Sequence, residues 1–171
     1  IRDSILGRTT GDWDITTSAK PHQVKDIFPR TVDTGIQHGT VTVLMDKEGF
    51  EVTTYRIDGE YEDARHPKDV IFTSNLLEDL KRRDFTINAM AYNDETGLVD
   101  AFDGIADLTA KRIRCVGEPT ERFSEDALRM LRAVRFAAQL GFAIEERTEQ
   151  AIRDMCGNLE KISAERIQVE L

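Results

Sequence analysis

The sequence predicts an α+β fold in which strands come first and helices follow. Before about residue 120, short β-branched runs alternate with turn residues; beyond it, apolar residues recur at helical spacing. The 171 residues are 40% hydrophobic and 32% charged, which is globular composition and enough chain for one medium domain or a small one with an appendage.

The first strand lies in "RTTGDWDITT", residues 8–17. If Trp13-Asp14-Ile15-Thr16 is extended, the period of two turns Asp12 and Asp14 to the same side. Two like charges held that close repel unless a cation lies between them. The same pair also suits a surface turn, so on its own it leaves both readings open. Residues 21–28 read as a short helix, with Thr17 or Ser18 near its start and Pro21 in its first turn. Residues 38–44 alternate, 46–49 supply a turn and 50–56 are β-branched, which together predict a hairpin. Residues 58–69 form a polar stretch with Gly and Pro, expected as a mobile loop. Residues 76–91 look helical and 93–97 are a turn. Farther on, Ser124 is placed to cap a helix running to Leu140, with Gly141 where a C-terminal glycine belongs. A second helix is expected over 145–155 and a third from Ser163.

Composition removes several classes. No apolar run is long enough to span a bilayer, and no charged, apolar, small-residue leader opens the sequence. Both ends read as cut from a longer chain. Cys115 and Cys156 offer no C-x-x-C and no zinc spacing, so a reduced, cytoplasmic protein is expected. His22, His38 and His66 lack ligand spacing and read as structural or surface residues. A net charge of −9 argues against a generic nucleic-acid-binding surface while leaving room for a local basic site.

The second informative stretch is "RFSEDALRMLRAVRF", residues 122–136. On a continuous helix Glu125, Arg129, Arg132 and Phe136 fall within about 60° of one another, and Asp126 lies roughly 60° from Arg129. Leu128, Leu131, Val134 and Ala138 form the opposite stripe, expected to be buried. A plain surface pair between Glu125 and Arg129 would stabilise the helix by about 0.3–0.5 kcal/mol. A sharper reading comes from base chemistry. Cytosine and adenine each present an amino donor beside a ring-nitrogen acceptor; uracil and guanine present the reverse. A fixed carboxylate beside a guanidinium, as Asp126 and Arg129 offer, satisfies the first two and clashes with the others. Buried mispairing of this kind can reject a wrong ligand by about 10⁴-fold.

Six segments occur in order: "IRDSILGR" with "GDWDITT", "TGIQHGTVTV", "FEVTTYRID", "KRRDFTINAMA", "DAFDGIADLTAKRIRCVG" and "SEDALRMLRAVRF". Over essentially the whole chain they resemble the class II tRNA nucleotidyltransferases of bacterial type, the CCA-adding enzymes. The resemblance implies a polymerase-β-like nucleotidyltransferase head with a small mixed sheet over residues 1–120, followed by an all-helical neck over 121–171. It implies that Asp12 and Asp14 bind two catalytic Mg²⁺ ions, with Glu51 as the third catalytic carboxylate. Arg83 and Asp84, with Asn88, match the motif that holds the ribose. Asp126 and Arg129 would read the incoming base, braced by Glu125 and Arg132, with Arg135 in the same nucleotide-binding set. Arg2 and Asp3 match the end of a G-G-x-V-R-D element that contacts the nucleotide; its glycines would precede Ile1. Arg8 and Lys81 suit triphosphate oxygens, with ordinary solvated charge as the alternative. Residues 58–75, carrying Asp63 and Arg65, resemble the family's flexible loop.

The implied reaction is attack of a tRNA 3′-hydroxyl on the α-phosphorus of CTP or ATP, with pyrophosphate leaving. Two hard cations bridged by carboxylates would stabilise both oxygens and lower the hydroxyl's pKa, so no histidine base is required. Bacterial poly(A) polymerases share the head, but usually carry a "G-R-R-F-x-L-x-H-V"-like segment where this chain has "DTGIQHGTVTV". CC-adding enzymes typically lack the flexible loop, which leaves CCA-adding or A-adding activity. An isolated CTP/ATP-binding module is the non-enzymatic alternative.

Overall fold

The computed structural model describes residues 1–59 and 70–171. Grouped by contact, the described chain falls into two compact units: residues 3–59 with 70–82, and residues 1–2 with 83–171. The division between them falls at Arg82/Arg83. A single turn of helix, α1 (Arg2–Ile5), opens the chain.

The first unit is built on a mixed sheet. Strands β1 (Asp14–Thr17), β2 (Thr31–Gly35), β3 (Thr40–Met45) and β4 (Glu48–Thr54) lie in the order β1-β4-β3-β2. β1 runs parallel to β4, and the other neighbours are antiparallel. The expected hairpin forms with a tighter turn than expected. Asp46 and Lys47 both take positive φ, as a two-residue turn of matching twist requires, so Met45 already pairs with Glu48. Alternation points Val41, Val43 and Val52 to one face, where they pack with Val24 of α2 (Pro21–Ile27), flanked by Ala19 and Phe28. β5 (Arg56–Asp58) and β6 (Val70–Phe72) pair antiparallel, and residues 60–69 of the expected loop lie outside the described residues.

Helix α3 (Leu76–Lys81) is capped by Asn75, whose Oδ1 accepts from the Leu77 N–H. The sequence suggests helix as far as residue 91; the structure ends it at Lys81. Beyond it the backbone is claimed by another segment: Phe85 bridges Cys115, Thr86 N–H donates to Arg114 O, and Val116 N–H donates to Asp84 O. Phe85, Ile87 and Ala89 are wholly buried at a period of two, a strand-like signal inside a segment that read as helical.

The second unit continues through the hairpin β7 (Met90–Asn93) and β8 (Gly97–Asp100), α4 (Gly104–Thr109), β9 (Arg112–Ile113), α5 (Pro119–Glu125) and α6 (Leu128–Leu140). β10 (Ala143–Ile144), α7 (Glu146–Met155) and α8 (Ala164–Glu170) complete it. The expected turn at 93–97 is tied by Asn93 Oδ1, which accepts from the Glu95 and Thr96 N–H groups. Residues 121–171 are not purely helical, because β10 pairs in parallel with β9. Ser124 is not a cap either. It sits inside α5 and donates to Thr120 O, and Asp126 instead accepts the Leu128 N–H at the start of α6. Gly141 ends α6 with φ +67°, as expected.

The break between α5 and α6 also changes the face that α6 buries. Met130, Ala133 and Phe136 join Leu128 in the interior, whereas Val134 is 50% exposed and Ala138 is exposed. Both cysteines are free: Cys156 is exposed, and burial pushes the Cys115 thiol up to about 12. Among the described residues no helix is long and apolar enough to cross a membrane.

A Cβ at Gly104 would stand 2.5 Å from Thr86 O and 2.9 Å from Met90 Sδ, so Gly104→Ala should cost about 1–3 kcal/mol, read as a lowered melting temperature. Glu145 caps α7 through the Thr148 N–H and hydroxyl. Partial burial alone would raise its pKa, but these hydrogen bonds outweigh it and hold it below the ordinary 4.5. Its stabilising contribution is therefore present above that value and lost as pH falls through the lower folded one. Glu145→Ala should melt earlier than the parent at pH 7, with the gap narrowing below pH 4.5 in a pH series of melting curves.

Candidate nucleotide and metal sites

In the sheet unit, Asp14 is the first residue of β1 and pairs in register with Glu51 of β4, which pairs in turn with Thr42. Alternation sends this row to the face opposite Val41 and Val52, so two carboxylates lie side by side on the uncovered side of the sheet. Asp12 lies two residues before Asp14, ahead of the start of β1, and all three acids are exposed. Among the described residues none of the three side chains is hydrogen-bonded or ion-paired. No three His, Cys, Asp or Glu side chains there are gathered closely enough to hold a metal ion unaided. Such an open, all-oxygen donor set fits Mg²⁺, which takes one or two carboxylates and completes its shell with water and substrate phosphates. Arg8 and Lys81 are exposed, and Asp3 is half-buried.

In the second unit the candidate ribose motif is tied together by its own hydrogen bonds. Asp84 is buried; its Oδ1 accepts from the Phe85 N–H at 2.7 Å and from Asn88 Nδ2 at 3.1 Å. Arg132 grips Oδ2 with Nε at 2.9 Å and Nη2 at 2.7 Å. Arg2 donates to Asn88 Oδ1 at 2.8 Å. Burial alone would lower the Arg132 pKa, but the Asp84 charge, its hydrogen bonds and then Glu170 outweigh burial and raise it. The guanidinium carbons of Arg2, Arg132 and Arg135 lie 4.9, 5.4 and 4.5 Å from the centre of the Phe136 ring. Phe136 meets Phe85 edge to face, at 5.9 Å and 85°. Arg83, next to Asp84, is half-buried.

The base-reading candidates sit at the α5–α6 break. Glu125 pairs with Arg122 and Arg129, and Arg129 Nη1 also donates to Arg122 O. Asp126 is held at both oxygens: Oδ1 by the Leu128 N–H at 3.0 Å and Oδ2 by Arg166 Nη2 at 2.9 Å. The structure thus brings Glu125 and Arg129 together directly and gives Asp126 a separate cation. Asp63 and Arg65 lie outside the described residues.

Sequence reasoning overlooked three members of these networks. Arg122 pairs with Glu125 at i,i+3; Arg166 and Glu170 lie on α8. Glu170 is buried and accepts from Arg135 Nε at 2.7 Å and Arg132 Nη1 at 3.5 Å. The i,i+4 spacing of Arg166 and Glu170 was the available signal, but nothing in the sequence says what a surface-looking pair faces.

The chain is similar to known proteins along its length. Residues 1–114 match the poly A polymerase head domain, and residues 141–171 match the "Probable RNA and SrmB-binding site of polymerase A". The CCA-adding enzyme of Enterococcus faecalis is 56% identical over 170 residues, which are 99% of this chain and 42% of that protein. A crystal structure of the Bacillus stearothermophilus CCA-adding enzyme in complex with CTP superposes with a TM-score of 0.90 at 48% identity, covering 99% of this chain and 40% of that one. The Thermotoga maritima CCA-adding enzyme complexed with tRNA gives 0.76 at 29% identity, covering 99% and 39%. The chain therefore spans about two fifths of the length of these relatives. On the head match over residues 1–114, with the mixed sheet that carries Asp14 and Glu51 in register, the chain belongs to the poly A polymerase head domain family.

Proposed function

We propose that the chain is the catalytic head and the start of a helical neck, over residues 121–171, of a tRNA nucleotidyltransferase that adds C and A to the 3′ end of tRNA. The observation that carries the reading is the Asp14–Glu51 register on an uncovered sheet face. Its specificity is supported by the doubly held Asp126 beside Arg129, and by relatives solved with CTP and with tRNA. The cytoplasm is the proposed compartment, in keeping with two free cysteines.

In this reading Asp12 and Asp14 would hold Mg²⁺, two ions in all, with Glu51 as the third catalytic carboxylate beside them. The chemistry that Mg²⁺ supplies when bound is charge neutralisation at the attacking 3′-oxygen and at the departing pyrophosphate. Arg8 and Lys81 lean on the triphosphate oxygens, as cations suit them. Asp84, oriented by Arg132, works with Arg83, Asn88 and Arg2 at the ribose, and Arg135 adds positive charge beside them. Asp126 accepts from the amino group of cytosine or adenine, while Arg129 donates to the adjacent ring nitrogen. Glu125 keeps the Arg129 fork aimed. Uracil and guanine would set a carbonyl against the carboxylate and an N–H against the guanidinium, leaving both pairs unsatisfied. Asp63 and Arg65 belong to the proposed flexible loop.

The deciding experiment supplies Mg²⁺ and labelled CTP or ATP to tRNA transcripts ending before CCA, after C and after CC, using the full-length natural enzyme. Two C additions followed by one A are expected. Extension of the CC-ended transcript alone would identify an A-adding enzyme, and unlimited A addition a poly(A) polymerase. Asp12→Ala should lower the rate of transfer by on the order of 10³-fold or more while CTP binding persists; undiminished transfer would rule out its metal role. Arg129→Ala should reduce the preference for CTP over UTP by at least about ten-fold in kcat/KM, and an unchanged ratio would remove the side-chain template.

A further inference from the structure

We infer that α8 is a brace with two separable ends, Arg166 setting base selection through Asp126 and Glu170 setting sugar selection through Arg132 and Asp84. The inference rests on the roles proposed above for Asp126 and Asp84. Arg166 and Glu170 stand one helical turn apart and so project from the same face of α8. Each ends on a different part of the nucleotide-binding network.

At one end, Arg166 Nη2 holds Asp126 Oδ2 at 2.9 Å while the Leu128 N–H holds Oδ1 at 3.0 Å. A carboxylate fixed at both oxygens cannot turn about its Cβ–Cγ bond, yet each oxygen keeps a lone pair for a ligand donor. Rejection of uracil depends on that immobility. An acceptor that cannot swing away must face the uracil carbonyl, and the repulsion excludes the base. Without Arg166, Oδ2 is released and the carboxylate can turn aside.

At the other end, Glu170 is only 7% exposed and makes no use of its charge except to hold arginines. It takes Arg135 Nε at 2.7 Å and Arg132 Nη1 at 3.5 Å. That leaves Arg132 Nε and Nη2, both of which clamp Asp84 Oδ2. The guanidinium is therefore fixed from two sides, and its plane sets the orientation of Asp84 and, through Asn88, of Arg2. Loss of Glu170 loosens this chain at its far end from Asp126, so the sugar contacts should suffer and the base contacts should not. Both residues are positioning residues: they act through Asp126 and Asp84 and do not touch the reacting atoms.

The test measures kcat/KM for CTP, UTP and dCTP in single additions to tRNA by the full-length natural enzyme and its variants. Arg166→Gln should lower the CTP/UTP ratio by about ten-fold and leave CTP/dCTP unchanged; Arg166→Lys should recover part of the loss. Glu170→Gln should lower CTP/dCTP by about ten-fold and leave CTP/UTP unchanged. Should Glu170→Gln not fold, Glu170→Asp, which keeps the charge but shortens its reach, should show the same direction of change. Equal shifts of both ratios in both variants, or no shift in either, would make α8 a packing element and overturn the inference. If Asp84→Asn and Arg129→Ala move their ratios while the α8 variants do not, the proposed roles stand and only the brace fails. If the parent enzyme shows neither preference, the underlying reading fails with it.

Discussion

Burying a carboxylate is costly unless both its oxygens are satisfied, and the second unit is arranged around meeting that condition for Asp84. One oxygen takes the next residue's N–H and the Asn88 amide; the other takes two nitrogens of Arg132. The geometry holds the chain out of helix beyond α3, sends Phe85 into the core against Phe136, and hands the neighbouring backbone to residues 114–116. α6 is located by the same contact, since Arg132 projects from it. Asp84 therefore ties the backbone turn, the core at Phe85 and the placement of α6 to one carboxylate.

The two units meet the demands of nucleotidyl transfer, as proposed, with opposite kinds of order. Asp14 and Glu51 are placed by a ladder register and otherwise left open, which suits a site that cation, water and phosphate must complete. Asp84 accepts two protein donors at each oxygen and Asp126 one at each, so both carboxylates are fixed in place. Openness permits charge to be assembled on demand, whereas fixity makes a poor fit expensive. Selection belongs with the second kind of site, because discrimination comes from groups that cannot relax.

Local pattern carried far in some places and failed in others for identifiable reasons. The hairpin of β3 and β4 and the extended Asp14 segment were legible, because period-two alternation against α2 is a local fact. Gly141 and Glu145 likewise mark helix ends as their chemistry demands, and Ser163 stands at the start of α8. Residues 84–91 misled, because helix-compatible composition there is overridden by hydrogen bonds to a segment some thirty residues away. The break at Asp126 was hidden for a related reason: Ser124 and Asp126 are both good caps, and only the fold decides between them. With the wrong cap, the buried stripe of α6 was assigned to Val134 and Ala138 when Met130, Ala133 and Phe136 occupy it. The candidate acids and arginines were legible as a motif, but their partners on α8 were not, since an ion pair forty residues apart has no local signature.

The placement of charge has a consequence for ionic strength. Mobile ions screen exposed charges over about 8 Å at physiological salt but penetrate buried pairs poorly. Lys25–Asp33 and Arg147–Glu118 stand in solvent, whereas Asp84 and Glu170 are 8% and 7% exposed and their arginines lie against the Phe136 ring. Rising salt should therefore strip surface pairs and any long-range attraction for a polyanion well before it loosens the α6–α8 network. A salt titration on this protein would separate the proposed capture of a nucleic acid from the integrity of the α6–α8 network.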